Sequence, residues 1–230
     1  VLGEQIVLSN DQSHYLMHVM RLEIGDTCSI FNNRNGEWRA TLISCAGSAA
    51  VLLVEECMRS PAIKVGRLHL FMSCIRKNRL EWVVEKAVEL GVTSVTFIQA
   101  DRSLRYEVPL QRFERIADQA LQQSNQLARP ALSCVSSLDA AFKRFDPCCR
   151  PICLHVGEEA QLARDLTIED CDTAYGLFIG PEGGWTLRED TLFHSLSIKK
   201  FSLGDSILRA ETAAITGVAT LNCLLAQACY

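Results

Sequence analysis

Phe178-Ile179-Gly180-Pro181-Glu182-Gly183-Gly184-Trp185 decides how this chain is read. An apolar run over residues 175–180 passes straight into a glycine–proline–glycine turn. Thr186 and Glu189 then form a capping box, which opens a helix running to Leu196. The glycines let a ligand approach the backbone closely and leave N–H groups exposed to it. By themselves the same residues also suit a plain β-to-α turn. No Gly-Lys-Ser/Thr follows, so the turn is not a Walker loop, and GxGxxG, the dinucleotide fingerprint, is absent.

A second turn of the same kind lies downstream. In Ser202-Leu203-Gly204-Asp205-Ser206-Ile207-Leu208-Arg209-Ala210-Glu211-Thr212-Ala213, a strand predicted over 199–203 yields to a glycine, a short loop and a helix over 209–228. Glu211 suits a helix N-terminus, whereas Arg209 opposes the dipole there. Arg209 therefore has either a role besides helix stability or an ion-pair partner in Glu182 or Glu211. Upstream, strands are expected over 68–74, 92–99, 131–135 and 151–156. Helices are expected over 78–90, capped by Asn78 with Glu81 and ended by Gly91, and over 109–127. This alternation predicts a mostly parallel sheet covered on both faces. Residues before 67 read differently. Short runs at 27–31, 37–45 and 49–54, with the Asn35-Gly36 hairpin dipeptide and a turn at 45–48, predict a small β-barrel. The expected division is residues 1–66 and 67–230.

The 230 residues are 48% hydrophobic and 22% charged with a net charge of −4, which excludes disordered and collagen-like classes. That balance also argues against a chain-wide basic coat for nucleic acid, though not against a local patch. Residues 67–130 are the only positive third, with 10 basic and 7 acidic groups. Arg76, Lys77, Arg79, Arg102 and Arg105 fall there just after strand ends, where open α/β sheets bind ligands; a solvated surface explains them equally. No secretory leader is expected before the 11 cysteines, and they form no paired CxxC pattern. They are expected to be reduced, mostly buried thiols of a cytoplasmic protein, with no metal site. Residues 213–230 lack charge but carry Thr216, Thr220, Asn222 and Gln227, which favours a buried helix, packed on a partner subunit, over a membrane span.

Taken together, these segments resemble the 16S rRNA (uracil-N3)-methyltransferase family, RsmE, of the SPOUT superfamily. Arg79-Leu80-Glu81-Trp82 through Lys86 to Glu89-Leu90-Gly91-Val92 is similar to the family's R-x-E-W-x-x-x-K-x-x-E-L-G-V stretch. Gly180–Gly184 is similar to its GPEGG loop, and the segment from Leu203 to Thr212 to its LG-x-x-I-L-R-x-E-T loop. His18, Arg21 and Gly25-Asp26 match its N-terminal H-x-x-R…GD region. Residues 122–126 depart from the family's charged stretch there, and residues 32–38 lack its usual Asp-Gly.

The resemblance implies an α/β fold: a small N-terminal PUA-like barrel for RNA and a C-terminal SPOUT domain with a deep trefoil knot. It implies a homodimer, S-adenosylmethionine as cofactor, and N3-methyluridine in the decoding region of 16S rRNA, free or within the small subunit, as product. The cofactor residues it points to are Leu154, His155, Ile179, Gly180, Pro181, Gly183, Gly184, Leu203, Gly204, Ile207, Leu208, Thr212 and Ala213. Arg209 is the candidate for stabilising a uracil anion, and Glu182 the candidate base. Arg21, Lys77, Arg79, Arg102 and Arg105 are the expected phosphate contacts. The competing readings are a related methyltransferase acting on another RNA, and a non-catalytic RNA-binding protein with a vestigial pocket.

Overall fold

The computed structural model describes residues 2–32, 35–46, 49–60, 68–124, 126–156, 160–168 and 173–228. The expected division at 66/67, the end of the 45–48 turn, Asn125, Cys171 and Cys229 lie outside them. The chain forms two compact units, Val1–Ile63 and Lys64–Tyr230.

In the first unit, β1 (Gln5–Val7), β2 (Thr27–Asn32), β3 (Gly36–Ala46) and β4 (Ala49–Arg59) form an antiparallel sheet in the order β1-β4-β3-β2. β4 outruns the expected 49–54. Past a register shift at Glu55, its continuation pairs with β3 through Glu56, Cys57 and Arg59, and Arg39 and Arg59 there meet Glu56 and Glu37. Apolar alternation alone stops at Val54 and so misses this half. A helical segment not read from the sequence, α1 (Asn10–His14) followed by a π turn over Tyr15–Val19, starts at a Ser9–Gln12 capping box. Its buried Leu16 packs with Ala40, Leu42, Ala50 and Leu52 to make a small core.

The second unit carries β5 (Leu68–Ser73), α2 (Lys77–Glu89), β6 (Ser94–Ile98), α3 (Leu110–Ser124), β7 (Ala131–Val135), α4 (Leu138–Lys143), β8 (Arg150–Leu154), β9 (Gln161–Leu162), β10 (Tyr175–Ile179), α5 (Leu187–Ser195), β11 (Lys199–Ser202) and α6 (Ala210–Gln227). All seven strands are parallel, in the order β7-β6-β5-β10-β8-β11-β9. Central β10 is buried along its whole length, as a strand covered on both faces must be. One face packs against α2, α3 and α6 through Leu80, Val84, Phe113, Val218 and Leu221; the other carries the Phe71, Phe142, Phe178 and Phe193 ring cluster. Gly217 of α6 sits so close to the sheet that a Cβ there would lie 2.6 Å from Leu154 Cδ1 and 3.0 Å from Leu177 Cδ2. Only glycine lets this helix approach β8 and β10 so closely.

Two expectations are corrected, and one element is added. Asn78 does not cap α2: the N-cap is Arg76, without a side-chain bond, and Glu81 pairs instead with Arg112 of α3 at 2.6 Å. The cysteines are not mostly buried: Cys45, Cys57, Cys148 and Cys223 are exposed, because they sit at a turn or on outward strand and helix faces. Six-residue α4 is too short to show a helical period, and it was not expected.

Candidate functional site

The strand order brings together loops that are far apart in sequence. β10, β8 and β11 are neighbours in the sheet, so their carboxyl ends (Ile179, Leu154 and Ser202) open side by side. That is where open α/β sheets bind ligands. A cavity of about 460 Å³ lies there. Leu154, His155, Ile179, Gly180, Pro181, Gly184, Leu203, Ile207, Leu208 and Ala213 line it, with both Glu182 and Arg209. Gly183, Gly204 and Thr212 belong to the same loops and helix but are not among the lining residues. Val156, Trp185, Ser202, Ser206 and Ala210 also line it and were not singled out from the sequence. They are interleaved with the predicted residues on the same loops, so only the sheet order could have identified them.

One wall is the bend after β10. Thr186 caps α5 as expected: its N–H donates to Glu189 Oε2 at 2.9 Å, and Glu189 N–H donates back to Thr186 Oγ1. Fully buried Glu189 also accepts the Asp101 N–H at 2.9 Å, joining this helix start to the loop after β6. Arg188 pairs with Asp101 at 3.1 Å and with Asp139 at 2.9 Å, and holds both carboxyls below their ordinary range. Arg102 reaches across to this bend: its Nη1 donates to the Gly183 carbonyl at 3.1 Å.

The other wall is the loop from Leu203 to Arg209. Gly204 has φ +134°, a backbone shape that side chains rarely adopt, and its carbonyl accepts Ser202 Oγ at 2.8 Å. Arg209 is the N-cap of α6; it is exposed and, among the described residues, makes no ion pair. Glu182 and Glu211 are held instead by Arg79, at 3.1 and 3.2 Å. Lys77 lies 5.0 Å from the Tyr106 ring centre, and Arg105 is exposed nearby in sequence. Arg21 is exposed on the first unit with φ 56°. Among the described residues no group of three metal-ligating side chains forms. No helix there is long and apolar enough to cross a membrane.

Residues 62–222 match the model of a family described as RNA methyltransferase domain, and residues 8–52 match one described as RNA methyltransferase PUA domain. The ribosomal RNA small subunit methyltransferase E of Rickettsia conorii is 28% identical over 225 residues, covering 96% of this chain and 91% of the relative. A Legionella pneumophila chain, solved in complex with the bound cofactor SAM, is 25% identical with TM-score 0.84, covering 96% of this chain and 93% of that one. The Neisseria gonorrhoeae ribosomal RNA small subunit methyltransferase E, 22% identical with TM-score 0.85 over 97% and 93% of the two chains, shares the fold.

Proposed function

We infer the activity from one premise: this chain belongs to the RNA methyltransferase domain family. On that premise it is an S-adenosylmethionine-dependent methyltransferase of small-subunit ribosomal RNA, and its product is N3-methyluridine in the decoding region. The observation that carries this reading is the convergence of three strand-end loops on one cavity, with an uncommitted arginine at its rim.

The cavity fits the cofactor. Its volume lies within the range of small-molecule sites, and the apolar side chains of Leu154, Ile179, Leu203 and Leu208 offer an adenine ring its faces. The turn backbone at Gly180 offers hydrogen bonds to ring edges and ribose. Glu182 is the only acid among the described lining residues and complements a sulfonium charge. When bound, S-adenosylmethionine supplies an electrophilic methyl group.

This chain's residues prepare the acceptor. Uracil N3 is a poor nucleophile while it keeps its proton. Glu182 takes that proton on Oε2, the oxygen that Arg79 leaves uncontacted. The resulting ring anion spreads its charge to the two carbonyl oxygens, and the Arg209 guanidinium stabilises it there. Fixed charges of this kind are worth several powers of ten in rate when water is excluded. Lys77, Arg105 and, in the N-terminal unit, Arg21 contact phosphates. Residues 1–66 act as a PUA-like RNA-binding domain and 67–230 as a knotted SPOUT domain that works as a homodimer in the cytoplasm, on free rRNA or on the subunit.

The test is primer extension on small-subunit rRNA from a strain lacking this gene, before and after treatment with the protein and S-adenosylmethionine. A reverse-transcription stop at a decoding-region uridine that appears only after treatment is the expected result. A stop already present in the untreated rRNA removes the assignment. Methyl transfer to a different RNA alone would favour the first competing reading, and cofactor binding too weak to detect by calorimetry would favour the second.

A further inference from the structure

The start of α2 breaks the rules of helix stability. Its N-cap has no side-chain bond, its first turn has no acid, and Arg76, Lys77 and Arg79 crowd the positive end of its dipole. Local rules broken without local compensation point to a function elsewhere. For Arg79 that function is visible. Its Nη1 lies 3.1 Å from Glu182 Oε1 on the bend after β10, and 3.2 Å from Oε1 of Glu211 in the first turn of α6. Glu211 is 8% exposed, so it has few water molecules to replace a lost partner.

Two residues before Glu211 stands Arg209, exposed and without an ion pair among the described residues, lining the same cavity as Glu182. Two carboxylates and two guanidiniums thus share one small region, and the pairing is unequal: Arg79 takes both acids. We propose that Arg79 is a positioning residue that holds Glu182 and Glu211 away from Arg209, so that the Arg209 guanidinium stays free for the uracil anion. Arg79 is then not a phosphate contact, although its charge and place in the sequence fit one. Both carboxylates meet the same nitrogen, Nη1, which the long arginine side chain carries to a point between them. Without Arg79 the poorly solvated Glu211 and the rim acid Glu182 would draw in another cation, and Arg209 lines the cavity with Glu182 and stands two residues from Glu211.

This inference rests on the methyltransferase reading, and the experiment separates the two. Steady-state methyl transfer is measured for the wild type, Arg79→Ala, Arg79→Lys, Glu211→Gln and the double variant Arg79→Ala/Glu211→Gln, alongside RNA affinity at several salt concentrations. Arg79→Ala is expected to lower kcat about 10- to 100-fold, with KM for RNA and the salt dependence unchanged. Arg79→Lys should fall between it and the wild type. The double variant should recover at least about fivefold over Arg79→Ala, because one competing acid is gone. A loss confined to RNA KM, with a salt slope shallower by about one, would make Arg79 a phosphate contact and overturn the proposal. A double variant no faster than Arg79→Ala would also overturn it. If Arg79→Ala fails to fold, Arg79→Lys against Arg79→Lys/Glu211→Gln carries the same comparison. A wild type inactive on every rRNA tested would sink the methyltransferase reading and this inference with it.

Discussion

The two bends that wall the cavity are held in different ways. The one from Gly180 to Trp185 is gripped from outside by Arg102 on the Gly183 carbonyl, Arg79 on Glu182, and the Thr186–Glu189–Asp101 set behind it. The one from Leu203 to Arg209 has, among the described residues, only the Ser202–Gly204 side-chain bonds, and Ile207 in it is 84% exposed. A wall tied by many bonds is set before a ligand arrives. A wall with few ties and an apolar side chain in water gains by folding onto one. On the proposed function, the first bend would supply the shape of the site, and the second closure and the reacting charge.

The sharpest way to break this division is Arg209→Ala. It should lower kcat by about 10²- to 10³-fold while cofactor affinity, measured by calorimetry, stays at the wild-type value. Next comes the tied wall. Glu189→Ala strands the N–H groups of Asp101 and Thr186, both bonded to that buried carboxylate. A loss of about 3 kcal/mol in urea unfolding is expected, with weaker cofactor binding besides. The loose wall should behave oppositely. Ile207→Ser should leave unfolding within about 0.5 kcal/mol of wild type. It should weaken cofactor binding by about 1 kcal/mol, the value of apolar surface covered only on closure. Equal stability losses from Glu189→Ala and Ile207→Ser would erase the contrast.

The smallest effect concerns acid. Asp101 and Asp139 are held below the ordinary carboxylate range chiefly by their bonds to Arg188. Groups depressed by folding stabilise fully above their unfolded values, about pH 4, and lose that contribution as the pH falls through their lower folded values. Asp101→Asn should flatten the stability curve below about pH 4 and leave the slope near neutrality unchanged.

The same contrast explains what the sequence revealed. The Thr186–Glu189 box was legible because both halves lie within three residues, and the strand-to-glycine transitions were legible at each bend. The grip on the first bend was not, because Asp101 meets Glu189 and Arg79 meets Glu182 across some 88 and 103 residues. Charge alone placed Arg79 and Arg102 among RNA contacts; only the sheet order shows their guanidiniums turned toward the bend. Arg209 could be singled out from its awkward place at a helix start. Its freedom from Glu182 and Glu211 could not, since that depends on a third residue on another helix. In the N-terminal unit the helical turn is not legible because its one buried apolar residue, Leu16, is too little for a period to register.

The decisive measurement is a crystal structure of the protein with S-adenosylmethionine. Density for the donor between the two loops, its sulfonium beside Glu182 and Ile207 drawn down over it, is the predicted result. A donor bound anywhere else on the molecule, or a cavity that stays closed to it at saturating concentration, would contradict the account.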